Sequence, residues 1–202
     1  MEAGEVGRFS DRLEVWLLGE PPRTIGGLVD TFEEKSFATL FVLLLALPAL
    51  PLPTGGVTHV FEAIAVLLAL ELIIGRRTIW LPERLRRREL GVAMQKRFRE
   101  ALLKRFRWLE RHSRPRYTFL LTHPPSLVAY GAVVLVLSLT AFLAPPFTGL
   151  DTLPALGVVV ISVGVLLDDA LLVLAGLLVG AVGLVLVLAL GSVAYRGASE
   201  LF

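Results

Sequence analysis

His59 and Glu62 stand three residues apart inside an otherwise apolar run, with Thr58 beside them and Thr54 just upstream. At that spacing an imidazole and a carboxylate share one face of a helix. Such a pair can pass a proton, hold a polar solute or supply two ligands to a metal. Two ligands do not complete a metal site, and His123 is the one other histidine near an apolar boundary. No metal and no cofactor are therefore expected. The plainer alternative is a hydrogen-bonded pair at a helix start, where Glu62 meets the positive end of the helix dipole. Ionisable residues in apolar sequence are costly and are candidates by default. Glu71 ends the same run, within reach of the interface or of Arg76 and Arg77. Asp168-Asp169 close a later apolar run and read as a cap between two helices, with a cation or proton site as the sharper reading. Phosphate loops, nucleophile elbows, HExxH and dinucleotide fingerprints are missing from the sequence, so motifs disfavour an enzyme.

The His59–Glu62 pair follows Leu47-Pro48-Ala49-Leu50-Pro51-Leu52-Pro53-Thr54-Gly55-Gly56. Proline lacks a donor and clashes one turn back, and glycine frees the backbone, so this stretch cannot continue a helix. Broken backbone at membrane depth is tolerated where protein or a water-filled cavity satisfies it. A related break, Ala144-Pro145-Pro146-Phe147-Thr148-Gly149, lies further on. A shift of 94 residues superposes Pro51 on Pro145, Thr54 on Thr148 and Gly55 on Gly149. Two hairpin-like repeats of helix, break and helix would follow, as in transporter folds whose broken helices meet at the midplane. Turn chemistry common to any tight hairpin is the competing explanation.

The chain has 202 residues, 55% of them hydrophobic, and a mean hydropathy of +0.72. The apolar residues are gathered in runs, which indicates an all-α integral membrane protein with about five hydrophobic helices. With no cysteine, disulfides and thiolate metal sites are excluded. Residues 1–35 carry eight acidic and four basic side chains and are read as two amphipathic helices, the second capped by Thr24. Met1–Arg12 is charged and does not resemble a signal peptide. Residues 36–75 form a first membrane hairpin, either two short spans or a re-entrant pair. Residues 76–125 are a linker whose stretch 76–116 holds fifteen of the twenty Lys and Arg. The positive-inside rule places it in the cytoplasm, where a basic amphipathic helix would lie on anionic lipid. Nucleic acid is not expected as a partner, because the segment is flanked by apolar runs and lacks a nucleic-acid motif. Residues 126–202 form a second membrane unit plus a last span. Five full spans would leave the C-terminus outside. Gly176 and Gly180 on that span suit close helix packing, within the chain or in a homodimer.

The order of these features resembles the ExoD family of bacterial exopolysaccharide synthesis proteins. The resemblance is carried by Thr24–Lys35 leading into Phe37–Pro48, by Pro51-Leu52-Pro53-Thr54-Gly55, by Gly75-Arg76-Arg77-Thr78-Ile79-Trp80-Leu81-Pro82, and by the second break with Leu153-Pro154-Ala155-Leu156. It implies a small multi-spanning protein of the bacterial inner membrane, linked to exopolysaccharide production, and supplies no catalytic residue. The chain departs from the family pattern at the second break and in carrying His59 and Glu62. Three readings of function follow: transport of a small solute or precursor through a site at the two breaks, a non-catalytic scaffold or regulator of a polysaccharide machine, and a lipid- or glycan-modifying enzyme. The site candidates are Thr54, Thr58, His59, Glu62 and Thr148, then Glu71, Arg76, Arg77, Asp168 and Asp169.

Overall fold

A computed structural model describes residues 9–19, 24–32, 35–50, 57–76, 79–80, 82–87, 96–113, 124–145 and 148–199. Among them every element is a helix: α1 (Phe9–Leu18), α2 (Ile25–Phe32), α3 (Ser36–Leu45), α4 (Val57–Ile73), α5 (Glu83–Arg86), α6 (Lys96–His112), α7 (Pro124–Leu143), α8 (Thr152–Leu166) and α9 (Ala170–Ser199). The tip of the first break, 51–56, lies outside the described residues, and with it Thr54. Arg77, Pro146, Phe147 and His123 lie outside them too.

The sequence has no polar face to offer in its apolar runs, and the packing follows from that. All ten residues of α3 are buried. It touches α2, α4 and α8, and Phe41 and Leu40 are wholly enclosed. A helix apolar all round must be surrounded by protein or lipid. Around it, α4 lies on α7, α7 on α8 and α8 on α9. The α4–α7 pair is antiparallel: Gly131 faces Ala69 and Ile73 at one end, and the His59 and Phe142 rings meet at the other. Tyr130 ties α7 to both neighbours, edge-on to Phe41 of α3 and hydrogen-bonded to Ser162 Oγ of α8 at 2.7 Å.

The α8–α9 pair is also antiparallel, with Gly164 beside Val173, Gly176 beside Ile161, Gly157 beside Gly180 and Gly183 beside Pro154. A Cβ on Gly157 would stand 2.5 Å from the Gly180 Cα. Gly176 and Gly180, whose spacing suits close packing within the chain or in a homodimer, pack against α8 of the same chain. The opposite face of α9 is apolar and open, with Leu171, Leu174, Leu178, Val182 and Val185 all more than half exposed.

Among the described residues two helices are long and apolar enough to cross a membrane, Pro125–Leu143 and Ala170–Ser192. Only 17% of the α9 window is buried, unlike a core helix of a soluble protein. At 1.5 Å per residue, α7 is about 30 Å long, the thickness of a hydrocarbon core. The ten residues of α3 and fifteen of α8 are shorter than the ~20 a perpendicular span needs. The arms of the expected repeat differ accordingly, with ten residues in α3 and twenty in α7.

At the end away from the breaks, the acidic N-terminal helices sit against the basic linker. Asp30 accepts both its bonds from Arg86 Nη2, at 2.7 and 2.6 Å, Glu14 pairs with Arg107, and Glu110 accepts from Ser10 N and Oγ. Thr24 Oγ1 caps α2 by accepting from Gly27 N at 3.2 Å.

Candidate functional site

The described arms of the two breaks meet at one end of the bundle. Helix α4 starts at Val57, so its first turn carries Thr58 and His59 and its second Glu62. Thr58 and Glu62 lie four apart on the buried face, 3% and 0% exposed. The Glu62 Oε2 lies 2.7 Å from His59 Nδ1, and the imidazole is 25% exposed. Phe142, two residues before the second break, packs edge-on against the imidazole with ring centroids 5.9 Å apart. Asp151, just after that break, lies within electrostatic range of Glu62. An imidazole–carboxylate pair on α4 therefore has an aromatic and a carboxylate from either side of the second break as neighbours.

One atom of this cluster is unsatisfied. Glu62 Oε1 is fully buried and has no hydrogen-bond partner, and the same holds for Ser138 Oγ on α7. Isolated buried polar atoms cost about 1–3 kcal/mol each, so such atoms invite an explanation. The neighbouring helix α7 is also closed off here, with Ser138 and Ala141 0% exposed.

The other candidates are placed elsewhere. Thr148 is exposed and stitches its own turn, donating to Pro145 O at 2.6 Å and accepting from Leu150 N at 3.3 Å. Gly149 in this turn has φ +70°, a backbone conformation glycine adopts without strain. Glu71 is at the opposite end of α4. Its Oε2 accepts from the Trp80 backbone N–H at 2.8 Å, rather than pairing with Arg76. The Arg76 guanidinium stacks on the Trp80 ring instead, 6.0 Å from its centroid.

Asp168 and Asp169 organise the α8–α9 turn. Asp168 has φ +54°, and Asp169 N donates to Gly164 O and Asp168 N to Val165 O, the pattern of a Schellman helix end. Lys35 Nζ holds this turn from outside, donating to Leu166 O at 2.8 Å and to Asp168 Oδ2 at 3.0 Å. Asp169 caps α9 by accepting from Leu171 N at 3.0 Å, and its other oxygen accepts from Ser113 Oγ at 2.9 Å. These two carboxylates are at the linker end, remote from His59. Among the described residues no group of three or more His, Cys, Asp or Glu side chains could hold a metal ion.

Ser138, Phe142 and Asp151 are the neighbours the sequence reading missed. Ser138 stands two residues from Thr140 in an apolar run, so its hydroxyl did not stand out. Phe142 is one of many apolar residues and carried no signal. Asp151 stood beside the Thr148-Gly149 turn and was passed over as part of it.

A protein-family model described as "Exopolysaccharide synthesis, ExoD" matches residues 10–189. The chain is similar to an uncharacterized protein, slr1875, of Synechocystis sp., with 25% identity over 176 residues, 86% of this chain and 82% of the relative. No solved structure matches the chain.

Proposed function

The chain belongs to the ExoD family of exopolysaccharide synthesis proteins, and from that membership we propose a multi-pass protein of the bacterial inner membrane that moves a small solute or precursor through the His59–Glu62 site. The observation that carries this reading is Glu62 itself. It is a wholly buried carboxylate with one oxygen on His59, placed where the two broken hairpins meet. Intramembrane carboxylates and histidines of this kind serve ion and substrate paths, and sites at the meeting of broken helices are the habit of secondary transporters.

The topology of the proposal follows from charge and length. The basic linker and the N-terminal helices share one end, which the positive-inside rule assigns to the cytoplasm. The site then lies towards the far face. Helix α3 enters from the cytoplasmic end and, at about 15 Å, turns back part-way through.

Reconstituted protein should carry a candidate precursor or ion across liposomes under a gradient, and Glu62→Gln should abolish that movement. Sealed vesicles that move no candidate solute under any gradient would sink the transport reading.

A scaffold for a polysaccharide machine is the second reading, favoured by the platform that α1, α2, α5 and α6 build at one end. It leaves Lys104, Arg105, Arg111 and Trp108 exposed as a basic aromatic surface for anionic lipid or a partner. Under that reading, charge reversal across Arg84–Arg88 abolishes exopolysaccharide support while His59→Ala and Glu62→Ala leave it intact.

A further inference from the structure

Helix α9 outruns the helix it packs on. Its contact with α8 holds from Gly164 beside Val173 to Pro154 beside Gly183, so the two stay antiparallel over about 15 Å. Pro154 is in the first turn of α8, and the second break directly precedes that helix. The apolar run of α9 continues past Gly183 to Ser192, about 13 Å further. On this extension Val185, Leu186, Leu188 and Leu190 are all at least 40% exposed, and they lie on more than one side of the helix. A helix segment of that kind belongs in lipid. Counted from Ala170 at the linker end, a hydrocarbon core of about 30 Å takes about 20 residues of helix and ends near Leu190. Gly183 and Pro154 then lie about 10 Å inside it.

The second break carries polar groups at this depth. Thr148 and Gly149 are exposed, and Asp151 is partly exposed. Irregular backbone and a carboxylate cannot face hydrocarbon; at membrane depth they are enclosed by protein or line water. We propose that the second break is the floor of a water-filled vestibule sunk below the far membrane surface, with the exposed side of the His59 imidazole in its wall, and that this vestibule admits cations and neutral solutes and repels anions. The inference rests on the multi-pass transport reading and deepens it, since it names the route to His59 and the charge of what takes that route. The charge preference follows from the residues at this end. No Lys or Arg occurs in 36–75 or in 117–195, so α4, α7, α8 and both breaks bring no fixed cation. The titratable groups described here are His59, Glu62 and Asp151, the two carboxylates within electrostatic range of each other. An anion would meet Asp151 in a surrounding of low dielectric with no lysine or arginine to offset it. Glu62 Oε1, buried and without a hydrogen-bond partner, is an acceptor that a cation or a donor can satisfy and an anion cannot.

The test is thiol accessibility in the full chain reconstituted in liposomes, with water-soluble methanethiosulfonate reagents present on both faces. The native chain has no cysteine, so each variant carries a single thiol. Thr148→Cys places it in the turn, and Leu186→Cys places it on α9 three residues beyond Gly183, towards the far surface. Both positions are exposed, and a thiol at 148 keeps a weak donor for its own turn. The proposal expects Thr148→Cys to be modified and Leu186→Cys to remain unmodified over the same time. With rates normalised to a free thiol in solution, the trimethylammonium reagent should modify Thr148→Cys about tenfold faster than the sulfonate reagent, the effect that one unscreened carboxylate about 6 Å away has on probes of opposite charge. Asp151→Asn should shrink that ratio. Modification at both positions would put the membrane surface at the level of the break and overturn the vestibule. Protection of Thr148→Cys would mean that lipid or protein covers the break, and would overturn it too. Equal normalised rates, or a faster sulfonate, would overturn the charge preference. If the pattern holds while the liposomes move no solute under any gradient, the vestibule stands and the transport reading fails. Solute transport without the pattern has the reverse meaning.

Discussion

At the scale of the residue, the behaviour of Glu62 separates it from the other carboxylates. Glu71, Asp168 and Asp169 each accept from a backbone N–H or a lysine and so complete a turn. Glu62 completes nothing structural with its second oxygen. Glu62→Gln keeps the size of the side chain and removes its charge. The folded yield and thermal midpoint in detergent should stay near wild type while exopolysaccharide output collapses. Glu71→Gln should have the opposite profile, retaining function and losing on the order of 1 kcal/mol of stability with its charge-assisted bond. The sequence showed His59 and Glu62 plainly, because two polar residues at helical spacing in an apolar run have few structural reasons to be there. It did not distinguish Thr148, which needed the turn geometry to reveal that its hydroxyl is consumed locally. Nor did it single out Ser138, since many intramembrane hydroxyls bond to the carbonyl one turn back, as Thr140 does to Val136.

At the scale of the element, the α8–α9 hairpin shows how small residues and one unusual aspartate shape a helix pair. Gly176 and Gly157 are pressed against backbone: a Cβ on Gly176 would lie 2.5 Å from Ile161 N. A Cβ on Gly180 meets the terminal methyls of Leu137, which can rotate away. Gly176→Ala should therefore cost about 1–3 kcal/mol by overpacking, and Gly180→Ala distinctly less, as read from thermal unfolding in detergent. At the turn, Asp168 stands in the left-handed region, where a side chain costs roughly 1–2 kcal/mol. Asp168→Gly relieves that strain as it loses the half-exposed Lys35 pair, so its stability should be close to wild type. Asp168→Ala loses the pair and keeps the strain, and should be the less stable of the two by about 1 kcal/mol. The glycine spacing was readable in the sequence, but its partner was not. Spacing alone fits a second copy as well as a neighbouring helix, and only the chain's path puts α8 there. The shortness of α8 was readable in the apolar run that Asp168-Asp169 close, whereas α3 stops at Leu45, before the first proline of the break.

At the scale of the whole molecule, charge is sorted between its two ends. The acidic N-terminal helices offset part of the basic linker through Asp30–Arg86 and Glu14–Arg107, while other arginines and lysines remain exposed. Arg86→Asp should loosen α2 from α5, and the double exchange Arg86→Asp with Asp30→Arg should restore protection from proteolysis. The coupling should be about 0.2–1 kcal/mol and shrink with added salt, as expected of exposed pairs. The segregation of acidic and basic residues was visible in composition, yet it pointed to anionic lipid as the partner of the basic linker helix. That the N-terminus takes some of them depends on contacts between residues 56 and 93 apart in sequence. The far end carries the breaks, and the account's central claim is that the His59–Glu62 cluster between them is what the protein works with. The most direct measurement is exopolysaccharide output from cells in which Glu62→Gln replaces the native chain, with membrane levels of the protein matched. The account predicts loss of the output together with normal accumulation of the folded protein. Wild-type output from that variant would contradict it.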